Sequence, residues 1–309
     1  MYNTLFNAPT PSAVDAAALA FALALEALDV PAWWRGYLVT RLIHPALHPV
    51  SLVYRAASPL AKPGGVGRGL AVLAAGLAVG LAPALLAHWA KPHLGLLGPL
   101  VEGYLLKLSF GVAHIVYPCG RDADLRRVAQ QFVRRDLSSA SGGHVRSACL
   151  EAAAESLVDS YVSPLMWYIL LGLPGAWLQR AVNTLDGLVG FPRFGKAGAP
   201  AAYLDTALNY IPARLAALCI LAVSNGWRPP LLAHRRRMAS RNAGWPIAAL
   251  ASALGVVLEK PGSYSVGEGG LPTPLDVARG LSAVARAAAA FVLLTSPALL
   301  PPPAWSSSV

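Results

Sequence analysis

The chain has 309 residues, of which 55% are hydrophobic and only 13% charged. Its mean hydropathy is +0.50. A soluble domain carries about 25% charged residues, so this composition excludes intrinsic disorder and argues against an ordinary cytosolic enzyme. Ala and Leu dominate and 26 Pro and 28 Gly interrupt them, which fits an integral membrane protein of broken helices. The net charge of +10 is mostly arginine, since five of the 25 basic residues are Lys. Positive cytoplasmic loops account for it. No aromatic-and-basic RNA or DNA module is present, so nucleic acid is not an expected partner. Cys119, Cys149 and Cys219 are few and far apart, which reads as buried or inert thiols rather than a disulfide framework.

In chain order, Met1 to Ser12 lacks the basic start of a secretory leader, so the apolar stretch Ala16 to Leu28 reads as a retained first helix, polar only at Glu26. Leu70 to Trp89 has no Lys, Arg, Asp or Glu. Its 20 residues cover a hydrocarbon core of about 30 Å at about 1.5 Å per residue. Leu94 to Tyr117 reads as the return span. Cys119 to Asp159 is polar and Arg-rich, and the positive-inside rule places it in the cytoplasm. Tyr161 to Leu178 is apolar but holds Pro164, Gly172, Pro174 and Gly175, so it is expected to turn back rather than cross. Gln179 to Ala213 reads as polar and turn-rich, and Arg228 to Arg241 as a second basic block. Ile247 to Leu258 is short and apolar, Leu281 to Leu300 is a last span, and the tail from Pro301 looks frayed. No strand alternation is evident. The expected fold is all-α: one membrane-embedded domain over 1–309, with four or five spans and several broken or re-entrant helices. Polar segments 118–160, 179–213 and 228–246 would form the site.

Glu151, Glu155 and Asp159 repeat every four residues and share one helix face. Like charges at that spacing repel, so the stripe calls for a neutralising cation: Mg²⁺, Arg or an amine. The alternative is a solvated face, but Ala152, Ala153, Ala154 and Val158 do not have the character of one. Asn183 and Asp186 lie three apart, Asp205 and Asn209 four apart, and each pair would share a helix face. Such oxygens suit Mg²⁺ or amine and hydroxyl recognition, whereas helix capping is the competing role. Gly190 to Ala197 has the form GxxxxGK but ends in Ala, where the metal-binding hydroxyl belongs, and no strand precedes it; it is not a phosphate loop. His44-Pro45 and His48-Pro49 read as structural turns.

These segments together resemble the adenosylcobinamide-phosphate synthase family of cobalamin biosynthesis (CbiB/CobD). The matching residues run in the family's order: His48-Pro49-Val50, Arg135-Asp136, the stripe at Glu151, Glu155 and Asp159 with Pro164-Leu165, and the GLPG run at Gly172. They continue with NTLD at Asn183 to Asp186, NYIPAR at Asn209 to Arg214, NAGWP at Asn242 to Pro246, and EKPG at Glu259 to Gly262. The chain departs from the family's pattern at Arg134, Ser156, Ser160 and Thr206.

The resemblance implies an ATP-dependent amide ligase. It would join adenosylcobyric acid to (R)-1-aminopropan-2-ol phosphate, or to ethanolamine phosphate, with Mg²⁺ as the ion. The enzyme would sit as a multi-pass protein of the inner cell membrane, with its site facing the cytoplasm. Within that chemistry Glu151, Glu155, Asp159 and Asp186 are expected at the phosphates, with Glu155, Asp159 and Asp186 as metal ligands. Arg135, Arg214 and Lys107 would hold phosphate groups. Asp136 or Asp205 would take the proton of the attacking ammonium. Asn183, Asn209 and Asn242 would bind amide or hydroxyl groups, His48 is a further substrate contact, and Trp245 would pack on the corrin. A transporter, or a non-enzymatic membrane regulator on the same scaffold, are the rival readings.

Overall fold

Why the chain folds as it does is clearest where it breaks. The computed structural model describes residues 15–31, 37–121, 124–225 and 229–296; the leader reading at 1–12, Arg228 and the tail from 301 lie outside them. Asp15 caps α1 (Ala16–Leu28) by accepting from Ala18 N at 3.0 Å. His44 and His48 accept from the backbone N–H two residues on, at 3.2 and 3.3 Å. Each His-Pro pair thus opens a helical turn, and His48 starts α2 (Pro49–Ala57). The uncharged stretch becomes α3 (Val66–Ala90).

The expected return span is instead two helices, α4 (Leu97–Lys107) and α5 (Ala113–Arg121). Between them, Gly111 N donates to Ser160 O at 2.7 Å, and Val112 and Ala113 N donate to Glu26 Oε1 at 2.9 and 3.2 Å. Those partners replace the helical bonds that the break forfeits. A short α6 (Leu125–Phe132) leads to α7 (Gly142–Leu157), capped by Ser141.

A π-helical turn, Val158–Val162, joins α7 to α8 (Ser163–Val189). Within α8 the chain doubles back. Gly172 takes φ 65° and ψ −162°, which a β-carbon would strain, and a β-carbon at Gly175 would strike the Trp167 carbonyl oxygen. Gln179 Nε2 and Arg180 Nη1 consequently meet residues 159 and 160: Gln179 donates to Asp159 O at 3.3 Å and Arg180 to Ser160 Oγ at 3.1 Å. The excursion 161–178 begins and ends at one level. The helix then runs on to Val189, where a polar, turn-rich segment was expected, because Asn183 and Asp186 fall on one helical face and find tertiary partners there.

A 3₁₀ turn, Pro192–Ala197, occupies the GxxxxGK sequence and bonds to Gly64. It leads into α9 (Ala199–Leu208), bent by 44° from α10 (Tyr210–Ala222). α11 (Gly244–Leu254) is followed by a hairpin the sequence reading missed. β1 (Val257–Lys260) pairs antiparallel with β2 (Tyr264–Gly267) across a turn in which Gly262 has φ 73°. The dipeptide Pro261-Gly262 is the turn signal for it. α12 (Pro274–Thr295) closes the chain with a capping box between Thr273 and Asp276.

The protein is an all-α polytopic membrane protein apart from this hairpin. Three helical stretches are long and apolar enough to cross a membrane, Val66–His93, Gly142–Val189 and Pro274–Thr295, or four if α9 and α10 count as one bent span. The cysteine reading is corrected: Cys119 and Cys149 are joined by a disulfide, with Cα atoms 6.2 Å apart, and only Cys219 is a buried free thiol. A separation of 30 residues carries no pairing signal; the docking of α5 against α7 does, because it brings the two Cα atoms within bridging distance.

Candidate functional site

The acidic stripe of α7 and its π-helical extension lies between two cavities. The first, of about 370 Å³, is lined by His48, Lys107, His114, Ser156, Ser160 and Arg180 among others. The second, of about 270 Å³, is lined by Arg134, Arg135, Glu151, Glu155, Lys260 and Tyr264, and Phe132 borders both. Two of the positions that depart from the family pattern, Ser156 and Ser160, thus face the first cavity.

At the second cavity the carboxylate of Glu151 is saturated. It accepts from Ser147 Oγ and Tyr264 Oη at 2.6 Å each and pairs with Arg135 at 3.1 Å. Burial and the charge of Glu151 push the Tyr264 phenol above its usual range, so it stays a donor. Glu155, one turn on, is within electrostatic reach of Glu151, Lys260 and Arg135. Glu151 is therefore built to hold Arg135 and the hairpin in place, whereas Glu155 is half-buried and faces the groove.

The other half of the groove is a connected set. Asp205 Oδ1 accepts from Asn183 Nδ2 at 3.1 Å and from Asn209 Nδ2 at 3.0 Å. Asn183 Oδ1 in turn accepts from Arg180 Nη2 at 2.7 Å. Asp159 lies beside Asp205, Glu155 and Arg180 and accepts from Asn183. Asp186 is near Asp205 and Arg134, and Arg134 donates to Gly187 O at 2.7 Å while stacking on Phe191. Asn242 Nδ2 donates to Thr206 O at 2.9 Å and its Oδ1 accepts from Arg214 at 3.3 Å. Arg214 stacks on both Tyr210 and Trp245, and Arg235 also lies over Trp245. NTLD, NYIPAR and NAGWP are thus neighbours in space.

Two expected residues are placed otherwise. Asp136 lines neither cavity; it is exposed, and its carboxylate is taken up by Ser138 N and Oγ, which hold its pKa below the usual value. It is corrected from proton acceptor to turn residue. Lys107 reaches the first cavity but is 1% exposed, and it pairs with Glu26 and Asp29 at 2.9 Å each. Its charge is already balanced, which corrects the reading of a free phosphate-binding lysine. Burial alone would raise the pKa of Asp29, but hydrogen bonds from His114, Thr40 and Lys107 outweigh it and hold the carboxyl far below the usual range.

His48 is pushed down to about 4 by burial and by the positive charges of Arg180, His114 and Lys107, so it is neutral at pH 7. Its Nδ1 accepts from Val50 N, which puts the proton on Nε2. Among the described residues no three His, Cys, Asp or Glu side chains gather in a metal-holding group. The residues that sequence reasoning missed are Arg180, Gln179, Tyr264, Glu26 and Asp29. A glutamate inside an otherwise apolar stretch was the visible signal for Glu26.

A family described as CobD/Cbib protein matches residues 17–289. The chain belongs to that family. Among its relatives, the probable cobalamin biosynthesis protein CobD of Aeropyrum pernix is 41% identical over 251 residues, covering 74% of this chain and 77% of that protein. The corresponding protein of Thermoplasma acidophilum is 36% identical over 219 residues, or 64% of this chain and 71% of the relative. The cobalamin biosynthesis protein CobD of Dehalococcoides mccartyi is 37% identical over 183 residues, 56% of this chain and 59% of the relative. No solved structure matches the chain. A CobD-family chain with this groove is a cobalamin biosynthesis protein of the membrane.

Proposed function

We propose that the chain is the amide ligase of its pathway: ATP-dependent, joining adenosylcobyric acid to an aminoalcohol phosphate. The observation that carries this reading is the convergence of Asp159, Asn183, Asp205 and Asn209 on one half-buried groove beside two basic-walled cavities. The balanced reaction has two steps. A carboxylate oxygen of the corrinoid attacks the γ-phosphorus of ATP, and ADP leaves. The amine nitrogen then attacks the acyl carbon, phosphate leaves, and the ammonium proton passes to a carboxylate. Asp205 and Asp159 are the acceptors within the groove, and Asn183 and Asn209 fix Asp205 for that role.

The hard oxygen donors of the groove suit Mg²⁺, which typically takes one or two carboxylates and the substrate phosphates rather than a full protein cage. Since no three such side chains gather among the described residues, one or two of Glu155, Asp159 and Asp186 would hold it together with the substrate phosphates, whose charge it would offset. Arg134 and Arg135 at the second cavity are the residues for the nucleotide phosphates. Neither cavity encloses a tetrapyrrole, so the corrinoid would lie on the ledge formed by Tyr210, Arg214 and Trp245, with only its propionate in the groove. The positive-inside rule places the groove in the cytoplasm.

Purified membranes supplied with ATP, Mg²⁺, adenosylcobyric acid and aminopropanol phosphate should release adenosylcobinamide phosphate and ADP. No product from folded protein would leave the regulator or transporter reading in its place.

A further inference from the structure

The first cavity has a lining that differs in kind from the groove beside it. Its polar wall is made of His48, His114, Arg180 and hydroxyls such as Ser156 and Ser160, and no Asp or Glu lines it. Lys107 adds no net charge, because Glu26 and Asp29 pair with it from behind. Arg180 lies within electrostatic reach of Asp159 and Asp205, but unlike Lys107 it keeps hydrogen-bonding capacity on the cavity wall. Its Nη1 is held by Asp159 O and Ser160 Oγ at 3.4 and 3.1 Å, and its Nη2 gives one hydrogen bond, to Asn183. Its Nε is buried and has no partner. A buried unpaired N–H is costly unless a ligand satisfies it, and a guanidinium fixed on one side presents its other edge for two-point contact with an oxyanion. His48 offers a second donor, Nε2–H, from the same wall.

Asn183 sets the length of the ligand. It accepts from Arg180 with one side-chain atom and donates to Asp205 with the other, so cation and carboxylate are separated by a single amide. A ligand that spans them carries an anion at one end and an ammonium a few bonds away. A cavity of about 370 Å³ admits such a small molecule and excludes a corrin ring.

We infer that the first cavity seats the phosphate of a phosphate-bearing primary amine, with Arg180 as its anchor and Asp205 and Asp159 at the amine end. This rests on the ligase reading and assigns one of its two smaller substrates to a place. It also makes Arg180 a specificity-determining residue, because the phosphate end of the amine is what it selects.

The test is calorimetry on the purified full chain in detergent, with ethanolamine phosphate, ethanolamine, inorganic phosphate and ATP as probes. Ethanolamine phosphate should bind at least about tenfold more tightly than ethanolamine, and inorganic phosphate should compete with it. Arg180→Lys keeps the charge and loses the fork; it should raise the Kd for ethanolamine phosphate about 10- to 100-fold and leave that for ATP within about threefold. Ser160→Ala removes only the hydroxyl that steadies Arg180 and should raise the same Kd about threefold, which keeps the test alive if the arginine variant does not fold. An unchanged Kd for ethanolamine phosphate in both variants overturns the assignment. A shift in the ATP Kd instead also overturns it and gives the cavity to the nucleotide. Product formation by the wild type with an Arg180-independent Kd sinks the subsite alone; Arg180-dependent binding with no product sinks the ligase reading alone.

Discussion

Two buried charge clusters lie on either side of the first cavity and are built on opposite plans. In the cluster behind it, Glu26, Asp29 and Lys107 lock one another at 2.9 Å, and Asp29 also accepts from Val39 N, Thr40 N and Thr40 Oγ1 at 2.8, 3.0 and 2.6 Å. In the groove, four carboxylates surround two arginines, and Arg180 Nε is left without a partner. The first arrangement spends its charges on holding α1 to α4 and the 108–112 break. The second leaves charge unmatched, which a fold tolerates where a ligand completes it. Buried ionisable groups are thus not of one kind: the first cluster closes its ion pairs on itself, whereas the groove leaves a guanidinium N–H beside a cavity.

The sharpest way to break that comparison is to mutate each cluster and read both activity and stability. Asp159→Asn and Asp205→Asn should each lower the rate of product formation by about 100-fold or more, measured with saturating substrates, with little change in thermal unfolding. Lys107→Met should do the reverse. It strands two carboxylates, and a loss of about 3–5 kcal/mol is expected in denaturant or thermal unfolding of the detergent-solubilised protein. Equal stability losses in the two clusters would erase the distinction.

A smaller effect is expected from the disulfide, which closes the loop carrying α6 and Arg135. Cys149→Ser, or reduction, should cost about 2–4 kcal/mol of stability, seen as a drop in Tm, with free-thiol counting giving one thiol in the oxidised protein, three after reduction and two in the variant. Cysteines placed at 159 and 186, tested with impermeant reagents from each side of the membrane, should label from the same side, because 161–178 returns to its starting level. Opposite labelling would mean that this excursion crosses.

The mildest expectation is in pH. Asp29 has a folded pKa held below its unfolded value of about 3.9. Its contribution is therefore full above about pH 4 and fades as pH falls further, so thermal stability should decline on acidification below that point. A decline already complete at pH 6 would point to other groups. His48, neutral from about 4 upward, should add no loss of ligand affinity between pH 5 and 7.

Much of this was legible from residues alone. The stripe at Glu151, Glu155 and Asp159 and the pairs Asn183/Asp186 and Asp205/Asn209 rest on helical spacing, and the two His-Pro turns on the residues themselves. The structure puts the stripe and the Asn183/Asp186 pair in helical segments, joins Asn209 to Asp205, and opens a turn at each His-Pro. The Pro- and Gly-laden stretch 161–178 announced its own reversal, since proline and glycine act on the backbone where they stand. What was not legible depends on partners distant in sequence. Arg180 sits next to a motif without belonging to it, and its role comes from Asp159 and Ser160, which precede the fold-back. Tyr264 matters only because a hairpin carries it to Glu151, 113 residues away.

The sequence by itself determined that the chain is a greasy helical membrane protein, which polar motifs are the candidates for its chemistry, and where its backbone must bend. These follow from composition and from spacing along one helix. Only the tertiary structure decided which charges are spent and which are free: Lys107 neutralised, Asp136 turned away, Cys119 bonded to Cys149, and Arg180 left with an open edge. The reason is that charge pairing depends on distances across the fold, and a chain read in order contains no distance between residues far apart along it.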